Sequence, residues 1–331
     1  MDLHRLPNGN VRDDLNDETM LKPVRRFRIV LALFVIIPAL AFGSVNTGRP
    51  TQLGGYKVVQ VHYGPFNKMI MSVRINGQPA NLLVDTGASN VILDADVAAS
   101  FDVKPSQRGL QYLRFTQING QAFPMGFAQS LTAGDMSFGS VLVTLRDSRH
   151  SGGGNAYVNG ILGLDILDRY KAVINCRTKL VFFKIDPSRQ LRLDAAASVE
   201  KFTRVPLRRE ANGSLTAPCS IHGQPARLLV DTGAFVTTFA EPVFTSLGIG
   251  LQSTHVSANF PSGTRRKLGA ARISDLRIGD FKVPSGKFGV ATLPNFALRQ
   301  GSNRMFGILG MDTLYNCQAI IDLDGMNLFL K

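Results

Sequence analysis

Short runs in which hydrophobic and polar residues alternate recur along most of the chain. Residues 57–61 (Lys-Val-Val-Gln-Val) and 69–75 are two examples, and Gly, Asn and Pro separate such runs at strand-length spacing. Asn76-Gly77 and Asn119-Gly120 are signals of two-residue hairpins, because both central residues of such a turn need a positive φ. The pattern predicts a chain built mainly of β-strands.

Two segments of the chain are repeated in the same order. Residues 75–88 (Ile-Asn-Gly-Gln-Pro-Ala-Asn-Leu-Leu-Val-Asp-Thr-Gly-Ala) return as 221–234 with 12 of 14 positions identical, at an offset of 146. Residues 160–184 return as 307–331 with ten of 25 positions identical, at an offset of 147. Two ordered matches at nearly the same offset indicate two homologous halves.

The repeat predicts the domain organisation. We expect two homologous all-β lobes, the first at 56–186 and the second at 202–331, each with one short helix capped by Asp165 or Asp312. Residues 187–201 are polar and Ala-rich and form the predicted linker between the lobes, while 44–55 link the first lobe to the N-terminal segment.

The N-terminal segment combines basic residues with an apolar run. Arg25, Arg26 and Arg28 precede 15 uncharged residues, 29–43, which are fewer than the roughly 20 of a membrane-spanning helix and end in small residues suited to signal cleavage. We expect 1–43 to be a cytoplasmic lead followed by an apolar helix that serves as signal peptide or signal anchor. The remaining chain would then lie on the periplasmic or cell-envelope side, held by 29–43 if that segment is not cleaved.

Composition and motif content exclude several classes of function. The 37 Lys+Arg exceed the 24 Asp+Glu by 13, but no basic run is longer than three residues, so a nucleic-acid partner is not expected. The three Cys form no CxxC pair, the five His have no ligand spacing, and no HExxH, Walker or GxSxG motif is present. We therefore expect neither a metal ion nor another cofactor.

The most faithfully repeated feature is an acid in a turn. Asp85 and Asp231 each follow an apolar strand and precede a Thr and a Gly: Thr86 and Gly87, Thr232 and Gly233. An Asp in this position is costly unless it is paired, hydrogen-bonded or functional. A two-fold axis would bring the two carboxyls together, so that the pair holds one proton. The charged acid can then take a proton from water while the neutral acid donates to a carbonyl oxygen, which predicts hydrolysis of an amide.

These turns resemble a known active site. Residues 84–89 (Val-Asp-Thr-Gly-Ala-Ser) and 230–234 resemble the active-site turn of aspartic proteases, and Gly-Ile-Leu-Gly at 160–163 and 307–310 resembles the segment that packs behind it. The Ala after each turn and the short halves are similar to retropepsin-like domains, and the N-terminal segment is similar to exported or membrane-anchored bacterial members. The resemblance implies an aspartic endopeptidase with a peptide or protein substrate, in which Asp85 and Asp231 are catalytic and the Thr and Gly residues of both turns support them.

The resemblance also implies a fold and further site residues. It implies two closed β-barrel lobes related by a pseudo-two-fold axis, with the substrate cleft between them and hairpin flaps over the bound peptide. The flaps would lie near Asn119 and Gly120 in the first half and near Gly263 in the second. Ser89 and Phe235 would lie near the substrate, and Phe235 stands where a polar residue is usual, which implies unequal subsites with an apolar one beside Phe235.

Two alternatives to this function stay open at this point. The acids could pair between two chains of a homodimer, although a linker long enough to let the halves face each other favours a monomer with an internal pseudo-dimer. The chain could also be a catalytically silent peptide-binding module of the same fold, whose expected mark is a lost catalytic Asp or Gly, and none is lost here. The net positive charge of the protein lowers the cost of ionising the two acids, and therefore favours activity at mildly acidic to neutral pH.

Overall fold

The computed structural model describes residues 52–105, 115–118, 121–146, 158–191, 193–259, 265–293 and 304–331. The lead and the apolar run at 29–43 lie outside these residues, and so does the N-terminal helix predicted there. Within the described ranges, no helix is both long and apolar enough to cross a bilayer.

Eight strands of the first half form one sheet that closes into a barrel. Their order across the sheet is His62–Tyr63, Met69–Ile75, Gln78–Val84, Gly160–Leu162, Ile92–Asp94, Met136–Arg146, Gln121–Ala133 and Phe115–Ile118. Met69–Ile75 also pairs with Gln121–Ala133, so that six of the eight strands close a barrel. Alternate residues of these strands, such as Met71, Val73 and Ile75, are buried inside it.

Ten strands of the second half form a related sheet. Their order is Gln252–Asn259, Arg265–Ile273, Gly286–Ala291, Thr238–Ala240, Met305–Leu309, Gln224–Val230, Leu215–Ile221, Arg277–Ile278 and Phe281–Lys282, with Arg208–Arg209 beside Leu215–Ile221. Where the first half has the continuous strand Gln121–Ala133, the second half has Arg265–Ile273 followed by Arg277–Ile278. Arg277–Ile278 pairs with Leu215–Ile221, as Gln121–Ala133 pairs with Met69–Ile75 in the first half.

A third sheet takes strands from both halves. Its order is Gln52–Leu53, Tyr56–Gln60, Leu180–Lys184, Val173–Asn175, Ile320–Asp322, Asn327–Leu330 and Thr203–Pro206. At its centre Ile174 pairs with Ile321, its own repeat-equivalent at the offset of 147. The two halves are therefore joined by one hydrogen-bonded sheet, hereafter the central sheet, around a local two-fold axis.

Five short α-helices and two 3₁₀ turns complete the described part of the chain. The helices are Ala95–Ala98, Leu164–Arg169, Leu193–Val199, Glu241–Leu247 and Met311–Asn316, and the 3₁₀ turns are Pro65–Asn67 and Ala99–Phe101. The prediction of an all-β fold is confirmed, but the prediction of one short helix per lobe is wrong. Each half adds a helical turn after the strand that follows its Asp-Thr-Gly segment. Local capping explains both additions, because the Asp94 carboxylate accepts a hydrogen bond from Asp96 N–H and Glu241–Leu247 carries Pro in its first turn.

Side chains also join the halves on both sides of the local two-fold axis. Tyr63 packs edge-on against Tyr315 with ring centroids 5.3 Å apart. Arg209 donates from Nη2 to Asp168 Oδ1 at 2.9 Å. Arg209 is the repeat-equivalent of Tyr63, and Tyr315 is the repeat-equivalent of Asp168. The same contact is therefore aromatic on one side of the axis and ionic on the other.

Candidate active site

A buried pair of parallel strands delivers each of the two repeated aspartates. In the first half Gln78–Val84 runs beside Gly160–Leu162, and Asp85 follows directly. The backbone N–H of Asp85 donates to the carbonyl oxygen of Leu162 at 3.1 Å. The second half repeats this arrangement, with a bond of 3.1 Å from Asp231 N–H to the neighbouring parallel strand. The apolar strands thus fix the backbone position of both acids.

Thr86 and Thr232 join the two turns through reciprocal hydrogen bonds. Thr232 N–H donates to Thr86 Oγ1 at 3.1 Å, and Thr86 N–H donates to Thr232 Oγ1 at 3.0 Å. The Thr86 hydroxyl donates to Val230 O at 2.8 Å, and the Thr232 hydroxyl donates to Val84 O at 2.7 Å. Both Thr residues are fully buried, so each hydroxyl satisfies backbone groups of the opposite half that water cannot reach.

Replacing Thr232 by Val is expected to lower the free energy of unfolding by about 2–4 kcal/mol, because Thr86 N–H and Val84 C=O would both stay buried without a partner. Chemical denaturation of the full chain measures this change. Thr232→Ser keeps the hydroxyl and is the matched control, with an expected loss of about 1 kcal/mol or less. A Val variant as stable as the wild type would show that these bonds do not hold the turns together.

The carboxyls of Asp85 and Asp231 hydrogen-bond to each other. Asp85 Oδ1 also accepts from Gly87 N–H at 2.7 Å, and Asp231 Oδ1 accepts from the N–H groups of Gly233 and Ala234 at 2.8 and 2.9 Å. Both acids are partly exposed, so solvent reaches the pair on one side. The structure therefore brings together the two residues that the repeat singled out.

Gly87 and Gly233 provide the space in which the two carboxyls meet. A Cβ on Gly87 would lie 2.5 Å from the carboxyl carbon of Asp231, and a Cβ on Gly233 would lie 2.3 Å from the carboxyl carbon of Asp85. Both distances are too short for any side chain, and glycine lacks this atom. Each turn thus needs its glycine because of the acid of the other turn.

Both acids keep a proton to higher pH than an isolated Asp does. Burial raises the pKa of Asp85, and the hydrogen bonds it receives from Asp231 and from Gly87 N–H oppose that rise. Burial raises the pKa of Asp231 well above its usual value, and the charge and hydrogen bond of Asp85 raise it further. The pair therefore holds one proton over a pH range in which two isolated Asp residues would both be charged.

The downstream Gly-Ile-Leu-Gly segments pack behind the turns. Leu164 N–H donates to Ala88 O at 2.8 Å, and Met311 N–H donates to Ala234 O at 2.8 Å. The second repeated block is thereby hydrogen-bonded to the first in each half. This explains why both blocks are kept in the same order and at nearly the same offset.

Asp165 and Asp312 have a role that the sequence pattern did not reveal. The prediction that they cap their helices is wrong, because the N-caps are Gly163 and Gly310. Asp165 instead accepts a hydrogen bond from Val91 N–H at 3.1 Å. Asp312 accepts a hydrogen bond at 2.7 Å from the N–H of Thr237, which is the repeat-equivalent of Val91. Each Asp thereby fastens the chain just after an Asp-Thr-Gly turn, and their equal place in the repeat was the available signal.

Ser89 and Phe235 stand at equivalent places beside the two turns. Ser89 is exposed and Phe235 is partly buried. Their carbonyl oxygens accept hydrogen bonds from Asp165 N–H at 3.0 Å and Asp312 N–H at 3.2 Å. The backbone is thus alike at the two positions while the side chains differ.

The hairpins predicted as flaps are present as paired strands, and their tips lie outside the described residues. Phe115–Ile118 pairs with Gln121–Ala133 up to the register of Ile118 with Gln121, and Asn119 and Gly120 fall between them. In the second half Asn259 pairs with Arg265, and Gly263 falls in the undescribed stretch between them.

The placement of the remaining His, Cys, Asp and Glu residues was compared within the described part of the chain. No group of three or more His, Cys, Asp or Glu is placed there to hold a metal ion. Cys176, Cys219 and Cys317 are buried and not joined to each other. Burial raises the pKa of the Cys176 and Cys219 thiols to about 12, which disfavours the reactive thiolate.

The fold and the paired acids define the class of aspartic-type peptidases, and family models support this class. Residues 71–169 match the family described as "gag-polyprotein putative aspartyl protease", and residues 217–313 match the family described as "Aspartyl protease". Each match falls within one half of the repeat. Both halves are thus retropepsin-like aspartyl protease domains, and the chain is a hydrolase of the aspartic peptidase type.

Comparison with solved structures finds an aspartic proteinase that shares the fold at low sequence identity. The aspartic proteinase from Irpex lacteus is 16% identical, with 83% of this chain and 96% of that chain covered and a TM-score of 0.52. A retropepsin-like aspartic protease from Rickettsia conorii is 19% identical over 39% of this chain and 88% of its own, with a TM-score of 0.27. Basic 7S globulin from soybean is 10% identical over 84% of this chain and 95% of its own, with a TM-score of 0.46. No curated protein sequence matches the chain.

Proposed function

We propose that this chain is an aspartic endopeptidase in which Asp85 and Asp231 form one catalytic dyad. The observation that carries the proposal is the hydrogen bond between two carboxyls on repeat-equivalent turns. Intact Thr and Gly residues in both turns support catalysis over a silent binding role, because loss of one of these residues is the expected mark of a silent module.

The geometry supports a proton-exchange mechanism. The ionised acid removes a proton from a water molecule as the water oxygen bonds to the carbonyl carbon of the peptide. The protonated acid donates its proton to the carbonyl oxygen, which gives a neutral tetrahedral intermediate. Proton transfer to the amide nitrogen then allows the C–N bond to break and releases an acid and an amine. The shared proton is what lets one acid act as base while the other acts as acid.

We further propose that the substrate is a peptide or protein bound unequally by the two halves. Ser89 offers a small polar side chain on one side, and Phe235 offers an aromatic side chain on the other. An apolar subsite beside Phe235 follows from this difference. The two hairpins that were predicted as flaps would close over the peptide from opposite halves.

We propose that the active form is a monomer. Both acids of the pair belong to one chain, and the contacts between the halves differ across the local two-fold axis, with Tyr63 and Tyr315 on one side and Arg209 and Asp168 on the other. A homodimer with dyads formed between chains would need a second interface of the same kind. The mass of the full chain in dilute solution distinguishes the two forms.

We also propose that the protein is exported or anchored at a membrane, with the two lobes (56–186 and 202–331) on the periplasmic or cell-envelope side. The proposal rests on the basic and apolar residues 25–43, which lie outside the described residues. Cell fractionation, together with the mass of the mature chain, separates an anchored form from a released one.

The proposed activity is tested with a peptide library and the full chain at mildly acidic to neutral pH. We expect cleavage within peptides rather than at their ends, and inhibition by a pepstatin-type compound whose hydroxyl occupies the place of the attacking water. Inhibitors of serine and cysteine peptidases serve as controls and are expected to have no effect. Cleavage that the pepstatin-type compound does not slow, at any pH tested, would contradict the dyad mechanism.

A further inference from the structure

A cavity lies where the segment that connects the halves passes one end of the central sheet. Its volume is about 140 Å³. Tyr56, Asp322 and Asn327 of the central sheet form part of its wall, and Leu191 and Asp194 of the connecting segment form another part. No residue of the two Asp-Thr-Gly turns lines this cavity, hereafter the linker cavity, so it is separate from the candidate active site.

Two oxygen atoms in the wall of the linker cavity lack a hydrogen-bond partner among the described residues. Tyr56 is 2% exposed, and its buried hydroxyl completes no hydrogen bond, although Leu191 N–H acts on it from the connecting segment. Asp322 is 6% exposed, and its Oδ1 accepts from Asp324 N–H and Gly325 N–H at 3.0 Å each, which leaves Oδ2 without a donor. Buried polar groups are normally hydrogen-bonded, so both oxygens are available to a donor from outside the described chain.

The charged groups around the linker cavity leave one carboxylate without a counter-ion. Asp324 Oδ2 accepts from Lys184 Nζ at 2.7 Å, and Asp194 Oδ1 lies 3.3 Å from Arg204 Nε. Asp322 forms no ion pair within the described residues, and burial together with the charges of Asp324 and Asp194 raises its pKa. The wall therefore carries more negative than positive charge, which favours a cation over an anion or a neutral molecule.

The place related to the linker cavity by the local two-fold axis lacks both of these oxygens. Phe202 is the repeat-equivalent of Tyr56, and Asn175 is the repeat-equivalent of Asp322. Asn175 Oδ1 accepts from the N–H groups two and three residues later, at 3.0 and 2.9 Å, as Asp322 Oδ1 does in its own turn. The turn and the strand are thus formed without the carboxylate charge and without the phenol hydroxyl, so neither group is required by the fold.

We propose that the linker cavity binds the ammonium or guanidinium group of a small organic cation. The N–H groups of this cation donate to Asp322 Oδ2 and to the hydroxyl oxygen of Tyr56. A metal ion suits the wall less well, because no three acidic, His or Cys side chains in the described part of the chain are placed to hold one. The wall joins the connecting segment to strands of both halves, so a bound cation stabilises the folded chain by mass action. The proposal is independent of the proposed peptidase activity.

Calorimetric titration of the full chain with methylguanidinium chloride and with methylammonium chloride tests this site. We expect saturable binding that Asp322→Asn weakens by about 10-fold or more and Tyr56→Phe by about 2–10-fold. Both variants introduce the side chain that stands at the symmetry-related place, so thermal melting is expected to show folded proteins. Asp135→Asn removes an exposed carboxylate elsewhere and is the control, with unchanged affinity.

Two further arms separate specific binding from other causes. Tetramethylammonium chloride has the charge without an N–H donor, and it is expected to show no saturable binding at the same ionic strength. Arg192→Gln, at a position outside the described residues, is expected to leave the affinity unchanged. The absence of binding to wild type, an equal response to tetramethylammonium, or affinity that Asp322→Asn and Tyr56→Phe do not change would overturn the proposal. Binding only in Arg192→Gln would also overturn it, by assigning the cavity to a guanidinium of this chain.

Discussion

Replacement of Asp85 or Asp231 by Asn is expected to reduce kcat for peptide cleavage by on the order of 10,000-fold. Asn cannot accept a proton from water or pass one to the carbonyl oxygen, and each acid has one of these tasks. The double variant is expected to be no slower than either single variant, because the two acids act as a unit. Cleavage of a fluorogenic peptide by the full chain measures all three rates.

An exposed carboxylate outside the site provides the control for the loss of one charge. Asp96 lies in the first turn of Ala95–Ala98, and Asp96→Asn is expected to keep the activity of the wild type. Circular dichroism spectra of all variants test whether unfolding is the cause of a lost rate. Equal turnover by the wild type and both dyad variants would remove the two acids from the mechanism.

Replacement of Gly233 by Ala is expected to lower kcat/KM by about 100-fold or more while the fold is kept. The new methyl group would lie 2.3 Å from the carboxyl carbon of Asp85, so the two acids would have to move apart. A displacement of about 1 Å at reacting groups is enough for a loss of this size. Gly87→Ala is expected to act in the same way through Asp231.

The matched control for this change is Gly250→Ala. A Cβ at Gly250 would meet no atom within 4 Å, so the same chemical change is made in open space. We expect full activity from Gly250→Ala, and thermal melting of both variants shows whether either is destabilised. A Gly233→Ala variant with wild-type activity would show that the close approach of the two carboxyls is not required.

The sequence was sufficient to predict the all-β fold and the meeting of Asp85 and Asp231. Both predictions depend on local patterns, namely alternation within strands and one turn repeated with its chemistry intact. The extra helical turn Ala95–Ala98 was missed because a single turn is too short to show helical periodicity. Its capping residue, Asp94, was the only local signal.

The features that the sequence could not supply depend on strand register between distant segments. The pairing of Ile174 with Ile321 in the central sheet follows from how the two halves pack, and nothing in either strand alone specifies it. The ion pair of Arg209 with Asp168 is of the same kind, since neither residue belongs to a motif. Its difference from the Tyr63–Tyr315 contact becomes visible once repeat-equivalent residues are compared in space.

The unlike contacts across the local two-fold axis have a consequence for the history of this chain. A symmetric pair of first halves would set Tyr63 against Asp168 twice, and a symmetric pair of second halves would set Arg209 against Tyr315 twice. Neither pairing keeps both the edge-on contact of the rings and the ion pair. After gene duplication the two copies have therefore become specialised for each other, and halves produced as separate polypeptides should reassociate one to one rather than with themselves.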